Sequence, residues 1–340
     1  MKQASMGTVA AEAQVATSTV SRYLAGNLKV AADTESRIRA AMDRLGYDLP
    51  VVRSSSERRR PRLLAVVVSD LGNAYYASFA EHTARSIETA GYTPVMLSVS
   101  QSAAEPLAGI EALIQAGLAG AISIGGSRPD ELRARLQRDD VPLVTVEEPH
   151  GREHATSFDI DLDNYSGARQ AVTYLTRLGH RDIAFISGPR DLAPVVARRR
   201  GYEDGLRAEG IDVDAQFDLE GECSEDFGFA ALTQLLAFDR ARPTAVFVAA
   251  DEIAVGVLNA ASQLQLKVPE DLSVVGFDDI PAASHVTPRL TTIHTPLTKL
   301  AEVAAAALLD VLAGETDQAT SAVVPVSLVV RDSTAARHMD

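Results

Sequence analysis

The chain has 340 residues, 46% of them hydrophobic and 23% charged, with a formal net charge of −14. That length holds a small module plus one large or two medium domains. The single cysteine, Cys223, excludes an intrachain disulfide and fits a reducing compartment. With no apolar run of signal-peptide or membrane-span type, a cytoplasmic protein is expected. The charge is uneven. Residues 1–62 carry 11 Lys+Arg against 6 Asp+Glu, about +5, which leaves 21 against 40, about −19, for the remainder. A basic head on an acidic body directs any nucleic acid to the head.

Residues 8–26, TVAAEAQVATSTVSRYLAG, predict two short helices joined by a tight turn. Val9, Ala10 and Ala13 give small apolar residues at one-turn spacing, Val15 points inward from the turn, and Val20 and Leu24 form an i, i+4 stripe. The opposite face of the second helix carries Thr17, Ser18, Thr19, Ser21 and Arg22. Hydroxyls suit phosphates or base edges, and arginine pairs bidentately with guanine, so this face fits the DNA major groove better than it fits a plain surface hairpin. A third helix follows, capped by Asp33 or Thr34, striped by Ile38, Ala41, Met42 and Leu45, and ended by Gly46.

This segment, with its following helix and LGYDLP, resembles the headpiece of the LacI-type (LacI/GalR) family of bacterial repressors. The resemblance implies that Arg22 touches a base, that Thr17 and Ser18 set sequence preference, and that Thr19, Ser21 and Tyr47 hold phosphates. Two positions depart from the family pattern. Gln14 stands at its turn glycine and Ala16 at its capping serine, which leaves Thr17 as a candidate cap.

Residues 48–62, DLPVVRSSSERRRPR, read as a linker. The family has a hinge there that wedges a leucine into the minor groove, and such a wedge needs an apolar side chain. Arg53, Ser54, Ser55 and Ser56 occupy that stretch instead. Arg58, Arg59 and Arg60 are expected to neutralise phosphates or enter a narrow minor groove.

From residue 63, apolar runs alternate with helical stretches. The runs are 63–68, 94–99, 119–124, 142–146, 183–187, 244–249 and 273–277. Helices are expected over 76–90, 165–178, 199–209, 227–236 and 253–264. Continuous apolar runs predict parallel strands buried on both faces. Ligands bind beyond the carboxyl ends of such strands. This singles out Asn73, Tyr75 and Tyr76 after the first run, then Glu147, the loop leading to Arg198, Asp251 and Asp278. Carboxylates, an arginine and aromatic faces suit a polyhydroxylated ligand.

The segments at 163–188, 268–279 (VPEDLSVVGFDD) and 290–296 (LTTIHTP) extend the resemblance over nearly the whole chain. It implies several domains: a small all-α helix-turn-helix headpiece (1–47), a hinge (48–62) and a two-lobed α/β periplasmic-binding-protein-like domain (63–340). The first lobe would hold about 63–161 and 292–325, the second about 162–291 and 326–340. Arg198, Asp251 and Asp278 would bind effector. Cys223 stands where the family places an aromatic over that effector, and a cysteine cannot stack on a ring.

Enzyme signatures are missing: there is no GxSxG elbow, HExxH or Walker A loop, IGGSRP at 124–129 lacks the P-loop lysine, and Pro149 and Gly151 argue against the helix that would align His150 and His154 at their HxxxH spacing. The expected protein is a DNA-binding transcriptional regulator, a repressor by the resemblance, with no cofactor and no metal. Its partners are a palindromic duplex operator, a second copy of the chain and a small effector of carbohydrate type. The alternative is a small-molecule sensor whose DNA-binding head has degenerated.

Overall fold

The structure, a computed structural model, describes residues 6–24, 30–45, 62–99, 107–125, 129–148, 158–237, 242–315 and 321–337. Tyr47, the linker with Arg58, Arg59 and Arg60, and the pair His150 and His154 lie outside the described residues. The chain divides into two units, Met1–Arg60 and Pro61–Asp340.

In the first unit, α1 (Met6–Glu12), α2 (Thr17–Leu24) and α3 (Ala32–Leu45) share one apolar centre. Val9, Ala10, Ala13, Val20, Ile38 and Ala41 are buried, with Val15, Tyr23 and Met42 packed against them. Four of these nine are valine or isoleucine and three are alanine, so the three helices approach closely around a minimal core. The Tyr23 hydroxyl donates to Glu35 at 2.9 Å and accepts from Arg39 Nε at 3.3 Å, tying α2 to α3. Leu45, expected in the stripe, is 37% exposed, so the packed face of α3 ends about a turn early.

Neither expected cap is made. The carbonyl of Ala16 accepts the N–H groups of Thr19 and Val20, which places Ala16 at the N-cap and Thr17 inside the first turn. Likewise Ala31 accepts from Glu35, so Asp33 and Thr34 lie within α3, where Asp33 favours the positive helix end instead. Gln14 sits in the α1–α2 turn at φ 51°, a left-handed conformation that costs a non-glycine residue about 1–2 kcal/mol. Gln14→Gly is therefore expected to stabilise the head by about 1 kcal/mol, read as roughly fivefold slower amide exchange in α1 and α2. Unchanged or faster exchange would show that the turn carries no strain.

The second unit holds two sheets of like order. One contains β1 (Leu63–Val68), β2 (Thr93–Ser98), β3 (Leu118–Ile124), β4 (Leu143–Val146), β5 (Phe158–Leu162) and β11 (Ser321–Val324), arranged β2-β1-β3-β4-β5-β11 and wholly parallel. The other contains β6 (Ile183–Ser187), β7 (Asp218–Glu220), β8 (Ala245–Val248), β9 (Ser273–Asp278), β10 (Thr291–His294) and β12 (Ser327–Val329), arranged β7-β6-β8-β9-β10-β12. Only β12 is antiparallel there. The inner strands are buried along their length: β6, β8 and β9 show no exposed position.

Helices cover the sheets: α4 (Ala74–Thr89), α5 (Ala108–Ala116), α6 (Pro129–Gln137) and α11 (Leu297–Ala313) in the first lobe, and α7 (Asn164–Arg177), α8 (Ala193–Ala208), α9 (Glu225–Leu236) and α10 (Asp251–Gln263) in the second. The chain passes between lobes at 163, between β10 and α11 at 295–296, and between β11 and β12 at 325–326. β10 thus stands in the second sheet, and the middle crossing falls a few residues after position 292. Pro194 in the first turn of α8 starts that helix six residues before the position expected from sequence, which sets Arg198 on a helix instead of in a loop.

Candidate functional site

On the head, Thr17, Ser18 and Arg22 are exposed, Thr19 is half-buried, and Val20 on the opposite face is fully buried. The side chain of Ser21 lies outside the described residues. Arg37, Arg39 and Arg44 are paired with Asp33, Glu35 and Glu12, whereas Arg22 has no ion pair among the described residues. α2 thus presents hydroxyls, a free guanidinium and the uncapped N–H groups of its first turn on one side. Those are the donors that phosphates and guanine edges accept.

In the second unit, the carboxyl ends of both sheets line one cleft. The first lobe contributes Asn73, Tyr75, Tyr76 and Glu147. The second contributes Gly188, Leu192 at the N-cap of α8, Pro194, Val195 and Arg198 on α8, Cys223, Ala249, Ala250, Glu252, Asp278 and Ile280. About 80 Å³ is left for solvent.

Asn73 caps α4: its Oδ1 accepts the Tyr75 N–H at 2.9 Å, and its Nδ2 donates across the cleft to Glu252 at the start of α10. That cap aims Tyr75 inward. Its ring packs edge-on against Tyr76 at 5.4 Å, and its hydroxyl donates to Glu147 Oε2 at 2.5 Å. Burial, then the Glu147 carboxylate, raise the Tyr75 phenol well above its ordinary range, so it remains a donor. Tyr76 lies over Gly125 at φ 62°, where a Cβ would meet the phenol ring at 2.6 Å.

Glu147, at φ 54°, ends β4 and belongs to both lobes' wiring. Its Oε1 accepts from Asn164 Nδ2 at 2.9 Å, and Asn164 Oδ1 accepts from Arg198 Nε at 2.7 Å. Arg198 Nη1 donates to the Ala249 carbonyl at 2.5 Å and lies 3.3 Å from Asp278 Oδ1; its Nη2 is 3.8 Å from Glu147. The guanidinium rests 3.7 Å above the ring of Phe277. Burial opposes the charge on Arg198, but Asp278 and Glu147 outweigh it and hold its pKa raised. Asp278, at φ 111°, is pushed up to about 7, by burial first and by Glu147, against the pull of Arg198. Positive φ at both Glu147 and Asp278 is strain of the kind found at ligand sites.

The GFDD carboxylates divide. Asp278 turns into the cleft, while Asp279 pairs outward with Arg331 at 2.6 Å and His294 at 2.9 Å. Asp251, expected to bind effector, does not line the cleft. It is fully buried behind the wall, where Oδ1 accepts from the Thr292 hydroxyl at 2.6 Å and Oδ2 from the Ile280 N–H at 3.1 Å. A Cβ at Gly276 would collide with it. Both of its oxygens are spent on holding the loop after β9, and burial pushes its carboxyl well up. Asp251→Ala is expected to destabilise the second unit by about 1–3 kcal/mol through the two orphaned donors, measured by urea denaturation. A loss under about 0.5 kcal/mol would restore the sequence-based reading.

The neighbours on either side, Ala250 and Glu252, line the cleft instead; only the phase of α10 separates them from Asp251. Cys223 is exposed to the cleft, not buried. Although solvent reaches the residue, the cleft wall shields its sulfur, and that burial, then the nearby carboxylates of Asp278 and Glu252, push its thiol up to about 12 and keep it protonated. Among the described residues, no group of three or more His, Cys, Asp or Glu side chains is placed to hold a metal, and no helix is long and apolar enough to cross a membrane.

A helix-turn-helix head with an unpaired outward arginine and a two-lobed α/β body with a wired polar cleft define a DNA-binding regulator with its own ligand domain. Residues 5–48 match the family described as bacterial regulatory proteins, lacI family, and residues 172–334 match the periplasmic binding protein-like domain. The chain is 32% identical to the HTH-type transcriptional repressor PurR of Pectobacterium carotovorum subsp. carotovorum, over 96% of both chains. It is 33% identical to the HTH-type transcriptional regulator MalR of Streptomyces coelicolor, over 96% of this chain and 95% of that one. Among solved structures, the CelR transcriptional regulator–cellobiose complex superposes with a TM-score of 0.75 at 31% identity, covering 97% of this chain and 99% of the other. The lac repressor dimer bound to operator and the anti-inducer ONPF does so with a TM-score of 0.73 at 28% identity, covering 98% and 100%. The chain belongs to the lacI family of bacterial regulatory proteins; it is a DNA-binding transcriptional regulator and not an enzyme.

Proposed function

We propose that this regulator is a cytoplasmic repressor that acts as a homodimer on a palindromic operator and is controlled by a small polyhydroxylated effector of the sugar class. The observation that carries the effector reading is the buried chain Tyr75–Glu147–Asn164–Arg198–Asp278, which begins in one lobe and ends in the other. Sugar hydroxyls can donate to Glu147 and Asp278 and accept from Arg198, replacing bonds the lobes make with each other. The remaining 80 Å³ is well below the roughly 300–1,000 Å³ of small-molecule pockets, so a ligand must part these contacts. Binding then biases one lobe arrangement, and with it the spacing of the two heads of the dimer. A coupling of about 1–3 kcal/mol changes operator affinity roughly 5–150-fold.

On the operator, Arg22, Thr17 and Ser18 read bases, Thr19, Ser21 and Tyr47 hold phosphates, and Arg58, Arg59 and Arg60 add salt-dependent affinity. A dimer follows because one head reads too few base pairs, and two-fold pairing matches a palindrome. The test is selection of bound duplexes from a random library by the purified protein. An enriched palindrome is expected, and that site then serves to screen sugars for release or tightening. No enrichment at low salt from folded protein would overturn the operator reading in favour of a ligand sensor.

A further inference from the structure

Away from the cleft, the outer face of α7 differs from the rest of the acidic body. Ser166, Arg169, Thr173 and Arg177 recur at one-turn spacing along it and, with Tyr165, Tyr174 and Leu328 of β12, line an open groove of about 440 Å³. Arg169 and Arg177 are exposed, and neither has an ion pair among the described residues. The hydroxyls of Ser166 and Thr173 have no hydrogen-bond partner there either. No Asp or Glu lines the groove, although residues 63–340 hold 40 acidic against 21 basic side chains. Other exposed arginines of the second lobe are answered: Arg207 by Glu203 and Asp204, Arg289 by Asp332, and Arg337 by Asp182.

The groove does not invite a strand. β12 is the edge of its sheet, but the side chain of Gln170 takes up its outer groups: Nε2 donates to the Val326 carbonyl at 3.3 Å, and Oε1 accepts the Leu328 N–H at 3.2 Å. Side chains are what remains on offer, namely two guanidiniums rooted about 12 Å apart along the helix with a hydroxyl between them. Tyr165 joins this groove to a second depression, of about 570 Å³, beside the first turns of α8. There Ala193, Val196 and Ala197 form an apolar floor, with Asp191 the one carboxylate, and Val196 is 52% exposed. Arg200 lies over the Tyr165 ring between the two.

We propose that the α7 face is a docking surface for an acidic amphipathic helix of a partner protein. Carboxylates two turns apart on that helix meet Arg169 and Arg177, and its apolar residues rest on Tyr165 and Val196. The charge pattern decides among occupants. A second copy of the chain, paired two-fold through this face, would set the arginines against themselves. A nucleic acid would gain two phosphate contacts while approaching a body of net charge about −19. An acidic helix meets both arginines and hydroxyls that can donate to its carboxylates.

The test uses the full chain and a fluorescein-labelled, alanine-based helical peptide with glutamates two turns apart on one face and leucines beside them. A counterpart with glutamines in place of the glutamates is the control. In anisotropy titrations the acidic peptide is expected to bind, more weakly as salt rises, and the glutamine peptide at least about tenfold more weakly. Arg169→Glu combined with Arg177→Glu is expected to lower affinity for the acidic peptide at least about tenfold, and Val196→Asp at least about threefold. The basic head can hold an acidic peptide by itself, but it is identical in parent and variants, so the difference between them reports the α7 face. Circular dichroism checks the fold, and Arg169→Gln with Arg177→Gln replaces the charge reversal if that variant does not fold. An acidic peptide that binds parent and double variant equally, or binds neither, would overturn the proposal. An equal loss of affinity for a duplex of random sequence would make the face a nucleic-acid surface instead. A lower sedimentation mass for the double variant than for the parent would make it a contact between copies of the chain.

Discussion

Arg198→Met is expected to destabilise the second unit by about 3–5 kcal/mol and to abolish the response to effector, while leaving the head's own fold unchanged. The guanidinium is 5% exposed and sits between two carboxylates that are equally buried. Its removal strips the counter-charge from Glu147 and Asp278 and a donor from both Asn164 Oδ1 and the Ala249 carbonyl. Methionine preserves packing on Phe277 and supplies none of these bonds. An exposed pair such as Arg85–Glu81 sets the contrast, since losing it is expected to cost under about 1 kcal/mol. The cause can be separated from lost packing by adding Asp278→Asn. The double variant should lose less than Arg198→Met alone, because one stranded charge is gone. Urea denaturation followed by circular dichroism measures all three. A single-variant loss below about 1 kcal/mol would mean that the cleft is wet and the network contributes little.

The inner strands were legible in the sequence because burial on both faces leaves an unbroken apolar run, as in β1, β6 and β9. β5 was not, because FDIDL alternates: Phe158, Ile160 and Leu162 face inward while Asp159 and Asp161 are half-buried, and Asp159 accepts from Thr145 of β4 at 2.6 Å. An isolated five-residue alternation looks like a loop until its neighbours in the sheet are known. The start of α8 was hidden by Arg199 and Arg200, which read as solvated charges at a helix start. In the fold, Arg199 lies over Phe185 and pairs with Asp218, and only Arg200 points outward.

In the cleft, residue type and strand end pointed to Tyr75, Tyr76, Glu147, Arg198 and Asp278, and the family resemblance to Cys223, all of which are lining residues. The error over Asp251 is one of helical phase. A carboxylate beginning a helix after a strand looks like a ligand group, but a single-residue rotation decides whether it faces the cleft or the loop behind it. The cross-lobe partner Glu252 was passed over for the same reason. On the head, the left-handed φ of Gln14 bears out the resemblance-based identification of that position as a glycine-type turn, while the residue itself gave no sign of it.

Lowering the pH should stabilise the second unit relative to its Asp278→Asn variant. The Asp278 carboxyl lies at about 7 in the folded chain against 3.8 in the unfolded one. Between those values the native state keeps a proton that the unfolded state has lost, so stability from this group falls as pH rises. It is fully present below about pH 3.8, declines through the window up to 7, and is flat above. A shift of that size corresponds to about 4 kcal/mol across the window. Arg198 and the backbone N–H of Asp251 limit the effect from one side, while Glu147 reinforces it from the other. Asparagine cannot titrate, so the stability of the variant minus that of the parent should rise with pH across the window and level off near neutrality. Taking the difference cancels much of the similar slope that Asp251 imposes on both proteins. The same proton governs the ligand. A carboxylate accepts two hydroxyl donors, but its acid form offers a donor of its own, so effector affinity should weaken as pH falls below about 7. Denaturation midpoints for both proteins, and calorimetric affinity for the parent, at several pH values on either side of 7 decide the matter. A pH-independent difference in stability would mean that Asp278 ionises normally, and the cleft would then hold a full carboxylate at every physiological pH.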